Sequence, residues 1–475
     1  MTTPSGIKLL TTIIVTVFTS MHPVFSQGNY AVTAVTVIPM NTESVIQNQT
    51  VLIRNGSIEK IGSFEKTIIP PDYIKVEGKG KFLMPGLFDM HAHFFQEQYD
   101  DHNNTNDKEL KMMLANGLTT ARIMAGHPDY LEARKNVATG KWVGPSLIVA
   151  SPQLVGRWPW PGEFKNYEVI DTKEKGTDAV KKFKRDGYDA IKLTFMVKRE
   201  AYDAVVAAAK EEEIKVVGHV GPLVTLPVAL AATEQVEHMD EFIDMLLPDT
   251  SYNHGQSVSD MNIWRKAAWS TVPFLDEAKL PALVKMVKNA GIYVTPTNYF
   301  FISSFGITSS EEEIKQKIDY KYIPKSLISG RWKNRQHWMD LAIPEESRNK
   351  YVKLRKKMVY ELWKAGVPLM AGSDSPEFFL VTGFSLHNEL QQFVDAGLTP
   401  FAALQTATIN PATYLGLKDK GTIETGKIAD MLLLDKDPLT NIENTRAING
   451  VFKNGVWYNR EALDTMLDDA KALSD

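Results

Sequence analysis

Two histidines one residue apart, His91 and His93, end the largely apolar run Leu87-Phe88-Asp89-Met90-His91-Ala92-His93. Strand side chains alternate between faces, so the two imidazoles point the same way and form a platform for a divalent ion. Lys192 sits inside Ala190-Ile191-Lys192-Leu193-Thr194. With Ile191 and Leu193 facing outward, its ammonium faces inward, where a lone charge is costly. Such a lysine needs a carboxylate partner, deprotonation or covalent modification. His219 closes Lys215-Val216-Val217-Gly218-His219, His238 closes Gln235-Val236-Glu237-His238, and Asp374 follows Leu369-Met370-Ala371-Gly372-Ser373. Taken singly, each reads equally well as a structural residue: a core histidine, a salt-bridged lysine, a turn-capping aspartate. Taken together, they are six nitrogen and oxygen donors at the same end of successive apolar runs. The chain has no cysteine, so thiolate ligands, disulfides and a cysteine nucleophile are excluded.

The elements that must position these donors alternate. Short apolar strands are predicted over 87–93, 119–124, 146–150, 190–195, 215–220, 235–239, 292–297 and 368–373. Helices are predicted between them over 108–116, 177–185, 199–213, 281–290, 346–365 and 386–396. Eight strands alternating with helices predict an α/β fold, a (β/α)8 TIM barrel spanning residues 85–417. The spans after strands six and seven are longer than the rest. They predict insertions over the C-terminal mouth at about 240–275 and 298–345. These insertions hold Trp264, Trp269, Tyr299, Phe300, Phe301 and Trp332, the makings of an aromatic lid.

Both flanks of the barrel read as β-structure. Asn55-Gly56 and Asn454-Gly455 each sit between two β-like runs, which is a hairpin signal. Residues 27–84 and 418–475 therefore predict one small β-sandwich domain built from both chain ends. Residues 1–26 carry a single charge, Lys8, before an apolar run that ends in Val24-Phe25-Ser26. They read as a cleavable signal peptide, which predicts a secreted or periplasmic protein with no membrane attachment after cleavage. Of 475 residues, 44% are hydrophobic and 23% charged, a globular composition; a net charge of −4 argues against a nucleic-acid partner.

The motifs resemble a known family. Phe82-Leu83-Met84-Pro85-Gly86-Leu87-Phe88-Asp89-Met90-His91-Ala92-His93 is similar to the first-strand motif of the metal-dependent amidohydrolase superfamily. Thr406-Ala407-Thr408-Ile409-Asn410-Pro411-Ala412 resembles its late helix. Gly421-Thr422-Ile423-Glu424-Thr425-Gly426-Lys427-Ile428-Ala429-Asp430 resembles its return to the β-domain. Within the superfamily the chain looks most like the binuclear branch of imidazolonepropionase-like proteins and prolidase-like dipeptidases. That resemblance implies two divalent ions, Zn²⁺ foremost. His91, His93 and Asp374 would hold one ion and His219 and His238 the other. Lys192, carboxylated by CO2, would bridge them through its carbamate. A metal-bridging hydroxide would be the nucleophile, and Asp374 would pass its proton to the leaving amine. The implied reaction is hydrolysis of an amide-type C–N bond in a small molecule: a dipeptide, an N-acyl amino acid or a cyclic amide.

Three further residues are candidates for substrate contact: His127 after strand two, Arg157 after strand three and Tyr299 after strand seven. One departure bears on peptide specificity. After the strand-five histidine the chain has Val220-Gly221-Pro222-Leu223, where some dipeptidases carry a tyrosine-bearing stretch. Two alternatives stay open, a mononuclear deaminase of the same fold and a non-catalytic binding protein on a retained barrel. A glycosidase would need two carboxylates at strand ends. Glu237, adjacent to His238 on a strand, is expected to point the other way. Homo-oligomers are common in the resembling families, and that analogy alone speaks to assembly.

Overall fold

The computed structural model describes residues 28–95, 105–156, 166–194, 196–221, 223–232, 235–248, 271–306 and 309–471. The leader, Arg157, Trp264 and Trp269 lie outside the described residues. Among the described residues no helix is long and apolar enough to cross a membrane.

The chain starts with five strands, β1 (Tyr30–Val37), β2 (Ile46–Arg54), β3 (Ser57–Ser63), β4 (Ile74–Glu77) and β5 (Phe82–Pro85). The α/β part follows, with β6 (Leu87–Ala92), β7 (Leu118–Ile123), β8 (Ser146–Val149), β9 (Gln153–Val155), β10 (Tyr167–Val169), β11 (Ala190–Leu193), β12 (Lys215–Gly218), β13 (Gln235–Glu237) and β14 (Val294–Thr295). The end of the chain adds β15 (Met431–Leu434), β16 (Ile448–Lys453), β17 (Val456–Asn459) and the helix Arg460–Lys471.

Parallel pairing runs from β6 through β7 to β8. A bridge between Ala150 and Ala190 continues it to β11, and ladders lead on through β12 and β13 to β14. Val294 then bridges to Leu369, and the segment 368–374 returns to β6, where Met90 N–H donates to the Ala371 carbonyl at 2.9 Å. This is a TIM-barrel-like α/β arrangement. Its eighth position is an extended segment held by single bridges and backbone bonds, shorter in regular pairing than the strand expected over 368–373.

Alternation sorts the strand side chains. Ile191 and Leu193 of β11 join Val180, Phe183 and Val205 in the large core between strands and helices. Ala190, with Met124, Ala150 and Val217, fills an inner cluster instead. The covering helices are read from their spacing. Arg199–Glu211 buries Ala201, Tyr202, Val205, Ala208 and Ala209, one face at helical period. Lys173–Asp186 starts where the Thr172 side chain accepts from Lys175 N–H and stops at Gly187, whose φ of +90° suits glycine.

The flanking β-structure differs from expectation. Its strands form one hydrogen-bonded eight-stranded sheet, in the order β17-β16-β15-β5-β1-β2-β3 with β4 on β1, instead of a sandwich of two sheets. The cause lies in β1. Ala34 has φ +54° and the strand is irregular there, so its first half pairs with β4 and its second half with β5. Both chain ends do contribute. Val32, Val51 and Leu83 pack with Met431, Leu433 and Phe452, while Leu432, Leu434 and Ile448 face the large core. The mouth segment expected as loops over 298–345 is mostly helical: Asn298–Ser304, Glu311–Gln316 and Lys325–Asp340.

A buried charge cluster ties the sheet to the α/β part. Asp430 Oδ2 lies 2.7 Å from Lys420 Nζ and 3.0 Å from Lys453 Nζ, and both lysines also donate to Ser146 Oγ at the start of β8. Burial pulls Lys453 down to about 8, against the raising effect of Asp430. Asp430→Ala leaves two enclosed ammonium groups without their carboxylate. The expected loss is about 3–5 kcal/mol in urea-unfolding free energy; a loss under about 1 kcal/mol would show that the cluster is not an effective tie.

Candidate metal centre

His91 and His93 project from the end of β6, 1% and 9% exposed. Asp374 is brought beside them by backbone pairing, its N–H donating to the His91 carbonyl at 2.7 Å. Its φ of +54° swings the side chain out of the extended segment. Asp374 Oδ1 lies 3.4 Å from His91 Nε2 and 3.3 Å from His93 Nε2. Each of these three residues offers one donor atom, all within 4.8 Å of one another. The set is geometrically able to hold a metal ion.

The remaining expected ligands stand beside this trio. The His238 ring lies 4.5 Å from that of His91 and stacks on His219 at 4.1 Å. His238 Nδ1 meets Thr297 Oγ1 at 2.8 Å and Asp374 Oδ2 at 3.5 Å. Its Nε2 is buried and has no hydrogen-bond partner. A bare, enclosed ring nitrogen is what a metal ligand looks like before metal arrives. Lys192 is 1% exposed on β11, and its N–H donates to Ser151 Oγ. Its charge bears on both His91 and His238: burial first, then neighbours including Lys192, holds each imidazole well below its usual pKa. Both rings are therefore neutral at pH 7, the state that ligates. The residues present fit a divalent ion.

Glu237 corrects the expectation. It faces inward: Oε2 lies 2.7 Å from His91 Nδ1 and Oε1 lies 2.5 Å from Arg122 Nη2. Strand β13 ends at Glu237, and His238 and Met239 take φ of +67° and +61°. Alternation therefore stops at residue 237, and His238 is turned back toward the mouth. Arg122 was not foreseen, although it sits in an apolar strand just as Lys192 does, and the same argument finds it.

The substrate-contact candidates fare differently. Tyr299 is half-buried and its hydroxyl accepts from Lys317 Nζ at 2.9 Å. His127 caps the helix Pro128–Ala138, its Nδ1 accepting from Asp129 N–H at 3.3 Å. Of the aromatic residues expected as a lid, Phe300 and Phe301 join a cluster near His238, while Trp332 packs on Phe379 instead. Phe300, Phe301, Phe305 and Phe378 form edge contacts, with Phe301 5.6 Å from the His238 ring. The helix that carries Phe300 and Phe301, Asn298–Ser304, is anchored by buried groups. Glu389 accepts from the N–H groups of Asn298 and Tyr299 at 2.8 and 2.6 Å. Arg355 donates to Asn298 Oδ1 and to the His238 carbonyl, and stacks on Phe301.

The sequence profile described as "Amidohydrolase family" matches residues 82–458. The chain belongs to the amidohydrolase family. Among solved structures, this amidohydrolase resembles bottromycin amidohydrolase, with a TM-score of 0.72 at 21% identity over 94% of this chain and 90% of that one. It also resembles a Xaa-Pro dipeptidase with bound methionine, with a TM-score of 0.63 at 19% identity over 91% of this chain and 100% of that one. At these identities the likeness speaks for the fold. Curated sequences match in short stretches. An adenine deaminase of Ligilactobacillus salivarius is 33% identical over 90 residues, 19% of this chain and 16% of that protein. An imidazolonepropionase of Thermoplasma volcanium is 38% identical over 98 residues, 20% of this chain and 23% of that protein. The chain thus spans under a quarter of the length of these curated relatives.

The anchor of the aromatic helix gives a signed pH test. Burial raises Glu389 to about 8 from an ordinary 4.5, against the lowering effect of the Tyr299 and Asn298 N–H groups. A carboxyl raised in the folded state contributes stability that is present below its unfolded pKa and lost as pH climbs through its folded pKa. Between pH 5 and pH 8 the parent should lose stability relative to Glu389→Gln by about 1.4 kcal/mol per pH unit. Urea melts at the two pH values read it, and parallel behaviour would contradict the raised pKa.

Proposed function

We propose that this amidohydrolase is a metal-dependent hydrolase of amide-type C–N bonds in small molecules: dipeptides, N-acyl amino acids or cyclic amides. The observation that carries it is the meeting of His91, His93 and Asp374 beside the bare Nε2 of His238. We read its α/β part as a closed (β/α)8 barrel whose strand ends form the site. His91, His93 and Asp374 would hold one divalent ion, Zn²⁺ foremost, and His219 and His238 a second. Lys192 would join the donor set as its carbamate, formed when the ammonium loses a proton and the free amine adds CO2 with loss of a second. The resulting anion would offset part of the charge of the divalent ions that the site would hold. Bound metal would polarise the scissile carbonyl and lower the pKa of water from about 16 to about 7.

The chain's own groups do the rest. Asp374 would accept the proton of the attacking water and hand it to the leaving nitrogen. The Phe300, Phe301, Phe305 and Phe378 cluster excludes water beside His238 and favours an apolar or aromatic substrate portion. Tyr299, with Lys317, is the candidate contact for a substrate carboxylate; His127 and Arg157 remain candidates from sequence. Export through the leader at residues 1–26 belongs to the same proposal.

The short matches to adenine deaminases favour a second reading, release of ammonia from a ring amine. One panel decides: N-acyl amino acids, dipeptides, cyclic amides and adenine, assayed before chelation, after chelation and after Zn²⁺ is returned. Amide cleavage that is lost and restored, with Asp374→Asn lowering kcat/KM at least about 10³-fold, supports the proposal. Ammonia from adenine alone would move the assignment to a deaminase. No turnover of any member would favour the binding-protein reading.

A further inference from the structure

We infer that Glu237 and Arg122 are positioning residues of the metal centre: from the barrel floor they fix the proton of His91 on Nδ1, so that Nε2 faces the ion site bare. The inference rests on the metal-dependent reading above and adds to it two residues that touch no ligand position themselves.

Arg122 is 1% exposed and all three of its guanidinium nitrogens are engaged. Nε donates to the Met90 carbonyl at 2.7 Å, Nη1 to Gln235 Oε1 at 2.7 Å and Nη2 to Glu237 Oε1 at 2.5 Å. The first bond grips the backbone one residue before His91. The other two reach from β7 to β13, so one side chain ties the strand of His91 to the strand that leads into His238. A guanidinium is always charged, and its bond to Oε1 favours the ionised form of Glu237 against the opposing effect of burial. An ionised carboxylate has no proton to donate. Glu237 Oε2, 2.7 Å from His91 Nδ1, can therefore only accept, and the proton of the neutral ring must sit on Nδ1. The lone pair is left on Nε2, the atom that faces Asp374 Oδ1 at 3.4 Å.

At His238 the close partner of Nδ1 is the Thr297 hydroxyl, which either donates or accepts and permits both tautomers, while the Asp374 carboxylate lies farther off at 3.5 Å. Between His91 and His238, His91 is the ring whose ligating nitrogen is set in advance by a charged partner. Partners that orient a ligating imidazole in this way are worth about 10–100-fold in metal affinity. A salt bridge that merely braced the barrel would change folding stability and leave metal affinity alone.

The test has two parts. In metal-free parent labelled with ¹⁵N-histidine, long-range ¹H–¹⁵N correlation reads the His91 tautomer, with His91→Asn assigning the signal. The inference requires the Nδ1–H form, and the Nε2–H form would overturn it. Zn²⁺ affinity is then measured by competition with a chromogenic chelator for the parent, Glu237→Gln and Glu237→Asp. Glu237→Gln should bind one ion about 10–100-fold more weakly, with Glu237→Asp recovering part of the loss. Unchanged affinity in Glu237→Gln would also overturn the inference. Should Glu237→Gln fail to fold, the tautomer in the parent still decides. A parent that takes up no Zn²⁺ would instead remove the metal-dependent reading underneath.

Discussion

Arg122 is enclosed at 1% exposure, and the candidate centre beside it depends on how its charge is met. A lone guanidinium there would cost several kcal/mol. Glu237 meets it, and the carboxylate's second oxygen then holds His91. The same economy recurs higher up. Asp89, fully buried, is raised to about 6 by its burial and is held by the Ser373 hydroxyl and by the N–H groups of Ser373 and His91. Those bonds lock β6 against the segment that carries Asp374. The candidate trio His91, His93 and Asp374 is thus braced from two sides, by a buried ion pair and by a buried carboxyl.

The backbone bends where the donors leave the strands. His238, Thr297 and Asp374, none of them glycine, take φ of +67°, +45° and +54°. Such residues store strain, and they persist where surrounding contacts over-determine them. Here those contacts are visible: Arg355 donates to the His238 carbonyl, Thr297 bonds His238, and the Asp374 N–H is tied to His91. The aromatic helix begins directly after Thr297, so the positions that aim the ligands also place Phe301 beside them.

Much of this was legible in the sequence because burial leaves patterns. His91 and His93 share a face by alternation, Lys192 stands out in an apolar strand, and Asp374 follows a Gly-Ser exit; the structure gathers His91, His93 and Asp374 and places Lys192 inward. Alternation misled at Glu237, since nothing in Gln235-Val236-Glu237-His238 announces that the strand expected over 235–239 stops at Glu237. The single eight-stranded sheet was equally hidden, because it follows from a left-handed residue inside β1. The 298–345 segment was expected as an insertion over the mouth, and its described residues are mostly helical, with Phe305 meeting Trp338 edge-on. Arg122 was within reach of the argument applied to Lys192.

We propose that buried donors hold two ions through a modified lysine. Metal per chain, measured on purified parent and on Lys192→Ala in the presence of bicarbonate, tests it most directly. The account predicts close to two ions in the parent and the loss of at least one in the variant. One ion in both proteins would contradict the bridged binuclear centre and leave His91, His93 and Asp374 as the core of a mononuclear site.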